Sequence, residues 1–498
     1  MVMPKHLLRC GLLLVFALAL AAPLSAQTEK PSGSPAASEG AEAPPPSAFE
    51  EDLPPTPMEG RPGPDSQDAA EPEAGQAEPE AEAEPFDFDR MIDETVEKVP
   101  WLQGGFLDVR AGTRVIDDPY HNHLSLAEAR LQLDFEHWFD DGTGVTIRPD
   151  FLYDPVPGRD AFDLERGTGW LDLREANILF VPTDWMDVKV GRQILTWGTG
   201  DLLFLNDLFP KDWKSFFIGR DVEYLKAPSD AVKVSLFHDL VNFDVVYTPR
   251  MDADRYIDGD RISYFNRAQG RRSGTYVHTE RRDDWFDDSE TAWRFSRTIE
   301  GYEAAVYGYH GFWKSPEGFN PATGEATFPR LSVYGASVRG PVAGGIGNAE
   351  IAGYDSRQDH SGRNPFVPNS ELRYLVGYSR EIAQELTLGL QYYLEQMLDY
   401  SAYKRALPAG LRREDRVRQV LTLRLTKLAM NQNLTLSMFA FYSPTESDCY
   451  LRPHVAWKVS DAWTVEAGAN VWLGAGRQTF FAQFEKNTNI YAGARYSF

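Results

Sequence analysis

Six basic residues in the C-terminal part of the chain sit at alternate positions of apolar runs: Arg416, Arg418, Arg424, Arg452, Lys458 and Arg495. Their neighbours Leu421, Leu423, Leu425, Leu451 and Val455 occupy the other phase. A period of two puts the two sets on opposite faces of extended strands. Cations on one face and leucines on the other suit a wall with water on one side and an apolar phase on the other. Such cations would attract and orient polar or anionic solutes. Nearer the N-terminus the polar face is mixed, with Asp108, Glu128, Asp134, Glu136 and Asp150 among Arg110, Arg114, Arg130 and Arg148. A hydrated lumen would solvate charges of either sign; the sharper reading is a pore with a transverse field from an arginine-rich wall to acids elsewhere.

A second group of charges, Asp201, Asp207, Lys211, Asp212, Lys214 and Arg220, lies in a connection, 199–229, with an unusual load of apolar side chains. Leu202, Leu203, Phe204, Leu205, Leu208, Phe209, Trp213, Phe216 and Phe217 need a surface to bury against. Folding into a lumen would supply it, making the segment a constriction whose charges face the passing ions. A position on the rim or at a subunit interface is the competing reading.

Other candidate chemistry is weaker. Asp252, Asp254, Asp258 and Asp260, with Asp283, Asp284, Asp287 and Asp288, lack the glycine and distal glutamate of an EF-hand loop, and they read as solvated loop acids rather than a Ca²⁺ site. His121 and His123 are no more than a chance pair. The chain has no zinc motif, phosphate-binding glycine loop or nucleophile elbow. No catalytic residue, metal ligand or cofactor is therefore expected, and the chain does not read as an enzyme.

The elements that position these residues are strands from about Phe106 onward. Leu107, Val109, Ala111, Thr113 and Val115 alternate with Asp108, Arg110, Gly112 and Arg114; Leu386, Leu388, Leu390, Tyr392 and Leu394 alternate with Thr387, Gly389, Gln391, Tyr393 and Glu395. The run from Leu171 to Val181 is less regular, because Glu175 and Asn177 interrupt its apolar face. Tight turns are expected at 140–142, 182–184, 238–242, 300–301, 430–433 and 460–461, and longer polar loops at 155–169, 199–229, 251–288, 313–329 and 396–414. Short and long connections alternating along such strands predict an all-β fold, a transmembrane antiparallel up-and-down β-barrel of about 18 strands (range 16–18). Phe139, Trp457 and Trp463 flank the tight turns, where aromatic rings favour a membrane interface. The terminal strand alternates through Ile490, Ala492, Ala494 and Tyr496 to Phe498. That ending resembles the signal by which barrel-assembly machinery recognises an outer-membrane barrel.

Composition sets the surroundings. The 498 residues carry a formal charge of −24 and 42% hydrophobic residues. That acidity argues against nucleic acid as a partner. Residues 1–26 read as a signal peptide, with Lys5 and Arg9 before an apolar core and Ser25-Ala26 at the cleavage site. If Cys10 leaves with it, the mature chain cannot form an internal disulfide. Residues 27–85 hold 15 acids against Lys30 and Arg61. Their Pro, Glu and Ala content predicts a disordered linker spanning about 45 Å, or an arm for a periplasmic partner. Residues 86–100 read as a short helical or extended lead-in, and 101–498 as the barrel.

The stretch Gly191-Arg192-Gln193-Ile194-Leu195-Thr196-Trp197-Gly198, followed by Gly200-Asp201, resembles a signature of porin-like Gram-negative outer-membrane families, including alginate-export-type and related uncharacterised barrels. Tyr334-Gly335-Ala336-Ser337 and Gly353-Tyr354-Asp355-Ser356 have a similar character. The resemblance implies the bacterial outer membrane, contact with its lipid and lipopolysaccharide, and a monomer or homotrimer. It carries over no solute and no ligand residues. A passive channel for hydrophilic, including anionic, solutes is the leading expectation. An outer-membrane structural or export-accessory barrel anchoring a periplasmic acidic arm is the alternative.

Overall fold

The computed structural model describes residues 99–157, 161–267 and 269–498. The expected signal peptide, the expected acidic linker and nearly all of the expected lead-in fall on residues 1–98, outside the described residues.

Eighteen strands form one antiparallel sheet. They are β1 (Leu102–Arg114), β2 (Leu124–Trp138), β3 (Gly144–Tyr153), β4 (Leu171–Thr183), β5 (Met186–Ile194), β6 (Pro228–Leu236), β7 (Asn242–Thr248), β8 (Glu290–Ile299) and β9 (Tyr302–Phe312). The ring continues with β10 (Arg330–Val342), β11 (Gly345–Ser356), β12 (Glu371–Ala383), β13 (Leu386–Met397), β14 (Val417–Ala429), β15 (Leu434–Ser443), β16 (Asp448–Lys458), β17 (Trp463–Gly474) and β18 (Asn489–Ser497). Each strand pairs with its sequence neighbour, and β18 pairs with β1 from Phe106↔Ser497 to Arg114↔Asn489. Closure leaves no free sheet edge.

Alternation decides which face is which. Val109, Val306, Val338, Ile351, Val376, Leu390, Leu421 and Ile490 point outward and are exposed, whereas Asp108, Arg110, Glu128, Arg130 and Asp150 are buried inside. Apolar outside and charged inside is the reverse of a water-soluble domain and the arrangement of a membrane-spanning barrel. Exposed Trp138, Phe139, Trp185, Trp457 and Trp463 ring the short-turn end. At the other end Phe151 and Phe162 stack on the exposed Trp170.

The turns joining strands at the short end follow from local backbone chemistry. At Glu300-Gly301 and Ala343-Gly344 both central residues have positive φ, the requirement of a two-residue hairpin whose twist matches the strands. The second of these, although marked by Gly344-Gly345, and the turn at Gln384-Glu385 were not among the turns expected from the sequence. Several boundaries also shift: the long connections run 154–170, 195–227, 249–289 and 398–416.

The irregular β4 has a physical cause. Its pairing with β3 slips between Arg148↔Glu175 and Pro149↔Leu173, a bulge that reverses the facing of the strand. Asp172 and Arg174 before the slip and Glu175 and Asn177 after it are therefore all buried inside.

Candidate functional site: a lumen crossed by one loop

The connection 195–227 leaves β5 and runs into the barrel. Within seven residues it reaches Asp201, whose carboxylate accepts two hydrogen bonds from Arg424 of β14, Nη2 at 2.8 Å and Nε at 2.5 Å. In a ring of eighteen, β14 lies nine strands from β5, directly across the lumen. Seven extended residues reach about 25 Å, so the loop must cross the interior rather than follow the rim.

Polar groups on the far wall receive it. The Asp201 backbone N–H donates to Gln391 Oε1, and Gln391 Nε2 donates to the Asp201 carbonyl, both at 2.8 Å. Glu350 accepts from the Thr199 hydroxyl at 2.9 Å and from Asn206 Nδ2 at 2.7 Å. The Tyr354 hydroxyl donates to the Leu205 carbonyl at 2.6 Å.

The loop then turns back through the centre as a short helix, α1 (Trp213–Ile218), capped by Asp212 through the Ser215 N–H at 2.7 Å. Gly219 ends it at φ 97, a left-handed conformation that glycine adopts without strain. Phe216 and Phe217 meet Tyr450 at ring-centroid distances of 5.9 and 5.6 Å, and Phe217 meets Trp472 at 5.3 Å. The last third of the loop bonds to the wall at β16, β1 and β2. Arg452 Nη2 donates to the Arg220 carbonyl at 3.1 Å, Arg110 Nη1 to the Gly219 carbonyl at 3.3 Å, and Arg220 pairs with Glu128.

The apolar excess of this segment is thus accounted for: Leu202, Leu205, Phe209, Phe216 and Phe217 are buried with inward-facing Val333, Leu375, Tyr393, Val420 and Phe439. Leu203, Phe204, Leu208 and Trp213 pack against the same cluster.

The charges of the loop are placed differently from one another. Asp201 is about one-third exposed at its side chain. Asp207 and Lys211 are buried and bonded to each other at 2.9 Å, and Asp212 is buried beside Arg255 at 3.3 Å. Lys214 reaches Asp258 at 3.3 Å. These four join the loop to itself and to its cover rather than presenting charge to an open passage.

That cover is the connection 249–289, and it corrects the reading of its acids as solvated. Asp252 is buried and accepts from the Ser229 hydroxyl at 2.7 Å and the Asp230 N–H at 2.8 Å. Asp254 accepts from the Lys211 N–H at 2.8 Å and Ser315 Oγ at 2.7 Å. Asp258 is buried beside Lys214, and Asp288 is buried as well, while Asp283, Asp284 and Asp287 remain exposed. Burial, reinforced by the Asp230 carboxylate, pushes Asp252 up to about 7. Burial also raises Asp254, against the opposing hydrogen bond from Lys211. Among the described residues no group of three or more His, Cys, Asp or Glu side chains is disposed to hold a metal ion.

On the barrel wall, Arg418 lies between Glu446 at 3.4 Å and Glu395 at 3.8 Å and over the Phe480 ring. Arg495 lies between Asp108 at 3.0 Å and Asp221 at 3.3 Å. Lys458 pairs with Asp461 at 3.1 Å at the short-turn end, and Arg416 is exposed just before β14. Arg452 lies 4.5 Å from the centroid of the Phe216 ring, and among the described residues it has no carboxylate within ion-pair range. Acids and bases on the N-terminal strands are matched locally, as in Arg130 with Glu128 at 2.8 Å, instead of standing opposite a basic wall.

Toward the short-turn end a belt of pairs continues round one side, including Arg148 with Asp134 at 2.9 Å and Lys189 with Glu175 at 3.5 Å. The inward positions across from it are small or uncharged: Gly377, Ser379, Gly389, Thr426 and Ser437. Sequence reasoning missed Glu350, Gln391 and Tyr354 as anchors of the loop; the available signal was only that each is a polar residue in the inward phase of its strand.

No family model matches the chain, and no curated protein sequence matches it. Among solved structures it is similar to Pseudomonas aeruginosa OccD3 (OpdP), with 11% identity over 80% of this chain and 92% of that one and a TM-score of 0.46. Acinetobacter baumannii OccAB1 gives 11% identity, 81% and 99% coverage and a TM-score of 0.46. A triple mutant of Rhodopseudomonas blastica porin gives 11%, 79%, 99% and 0.36. From its own register and surface, this chain is a closed, membrane-spanning, antiparallel barrel of eighteen strands whose third long-side connection crosses the lumen.

Proposed function

We propose that the protein is a porin-like channel of the bacterial outer membrane, through which hydrophilic solutes diffuse passively, with a preference for anions. One observation carries the reading: a closed barrel with an apolar outer face encloses a wall of ionised and hydrogen-bonding side chains, the kind of interior that lines the water-filled channel of a membrane barrel. The crossing loop then sets the size limit. Arg424 and Arg452 beside it favour anions, Arg452 most strongly because no carboxylate balances it.

Liposome swelling tests this. Proteoliposomes of the full chain should swell faster in small anionic solutes than in cations of equal size, and barely at all in large neutral sugars. Swelling no faster than protein-free liposomes would reject the channel.

A further inference from the structure

The outer surface of β9, β10 and β11 changes character in the same order on all three strands toward the long-connection end. Outward residues on β10 run Val338, Ala336, Tyr334, Ser332, Arg330. On β9 they run Val306, Gly308, His310, and on β11 Ile351, Gly353, Asp355, with Arg357 just beyond the strand. Register aligns these rows: Tyr334 lies between Gly308 and Gly353, and Ser332 between His310 and Asp355. Trp293 of β8 fills the space over Gly308, where a Cβ would meet its indole. Apolar, aromatic, polar and cationic rows in that order match hydrocarbon, interface and headgroup across one leaflet.

The backbone that carries the cationic row is fixed in place. The Arg357 N–H donates to the Arg330 carbonyl at 3.1 Å, and the Arg330 N–H donates to Gln358 Oε1 at 3.0 Å. The Arg330 guanidinium lies 5.7 Å from the Phe312 ring centroid. His310 is exposed, with Nδ1 3.0 Å from Ser332 Oγ, and the charges acting on its ring are those of Arg357 and Arg330.

The nearby acids are engaged elsewhere. Asp355 holds His360 at 2.7 Å, Asp359 accepts from the Asn364 N–H at 2.6 Å, and Asp288 faces Arg282 at 3.8 Å. Among the described residues no carboxylate lies within ion-pair range of Arg330 or Arg357. Two guanidinium groups and an imidazole, uncompensated and one row above interfacial aromatics, are a match for a lipid phosphate.

We propose that Arg330, Arg357 and His310 form a lipid site on the outside of the barrel. It takes the phosphate of a phosphorylated, acylated disaccharide of the outer leaflet, whose acyl chains lie along Tyr334, Trp293 and Val306. The site lies on the lipid side of the wall, so it does not depend on conduction through the lumen.

The test uses the full chain in detergent, with native mass spectrometry of bound lipid. The probes are diphosphorylated lipid A, the same lipid without its phosphates, and millimolar inorganic phosphate as competitor. The wild type should retain the phosphorylated lipid about tenfold better than the dephosphorylated one. The Arg330→Ala/Arg357→Ala variant should lose that preference while keeping its unfolding temperature and conductance, and inorganic phosphate should not displace the lipid. Equal retention of the two lipids by the wild type would overturn the proposal whether or not the variant folds. So would a preference that survives in the folded variant. Full displacement by inorganic phosphate would instead identify a free-anion site and reject the lipid assignment.

Discussion

Asp201 and Arg424 are 223 residues apart in the chain, and β5, from which the loop of Asp201 departs, lies across the barrel from the β14 of Arg424, yet the arginine donates two hydrogen bonds to the carboxylate, Nη2 at 2.8 Å and Nε at 2.5 Å. This contact fixes the far end of the lumen-crossing loop. With side chains 32% and 25% exposed, respectively, the pair is partly hydrated, so it is expected to contribute about 1 kcal/mol rather than the larger amount of a dry pair. Asp201→Ala and Arg424→Ala should each increase current noise and brief openings in single-channel records. The double variant should add little to either, since both remove the same link. Additive effects would mean that the two side chains act separately.

Docking of the connection 249–289 should depend on pH through Asp252. A free aspartate titrates near 3.9, whereas burial and the Asp230 carboxylate bring docked Asp252 up to about 7. The docked state therefore holds the proton more tightly. Its advantage is complete below about pH 4, declines as the pH rises through 7, and is flat above. Protease should cut this connection more slowly at pH 5.5 than at pH 8 after correction for enzyme activity, and Asp252→Asn should flatten the difference. A faster cut at pH 5.5 would contradict the assignment.

Replacing Arg418, Arg424 and Arg452 together by Glu should move the reversal potential in a salt gradient toward cation selectivity. Arg452→Glu alone should move it in the same direction. A folded triple variant with unchanged selectivity would place these residues away from the conducting path.

Topology follows from the two kinds of connection, with tight turns on the periplasmic side. A side chain at Gly270 would project into open space, so Gly270→Cys should react with an impermeant maleimide on intact cells. Asp461→Cys, in the turn between β16 and β17, should react only after the outer membrane is opened. The reverse pattern would invert the barrel.

Much of the barrel was legible because facing is encoded residue by residue: Leu421, Leu423 and Leu425 against Thr422 and Arg424 specify a two-faced strand without reference to any partner. The buried role of 195–227 was legible too, since a run such as Phe216-Phe217 has no stable place in water. What the sequence concealed were pairings. Nothing near Glu350 marks it as the acceptor for Thr199 and Asn206, about 150 residues away. Asp252 and Asp258 look like solvated loop acids until the connection carrying them folds over Ser229 and Lys214. The β4 irregularity was visible, but a bulge is a property of two strands and could not be read from one.

The central claim is that the lumen conducts and that residues 195–227 narrow it. It is tested most directly by single-channel conductance in planar bilayers, comparing the full chain with a variant in which residues 199–225 are replaced by a short Gly-Ser link. The account predicts that the folded variant conducts several-fold more current and admits larger solutes. Equal conductance in the two proteins would contradict it.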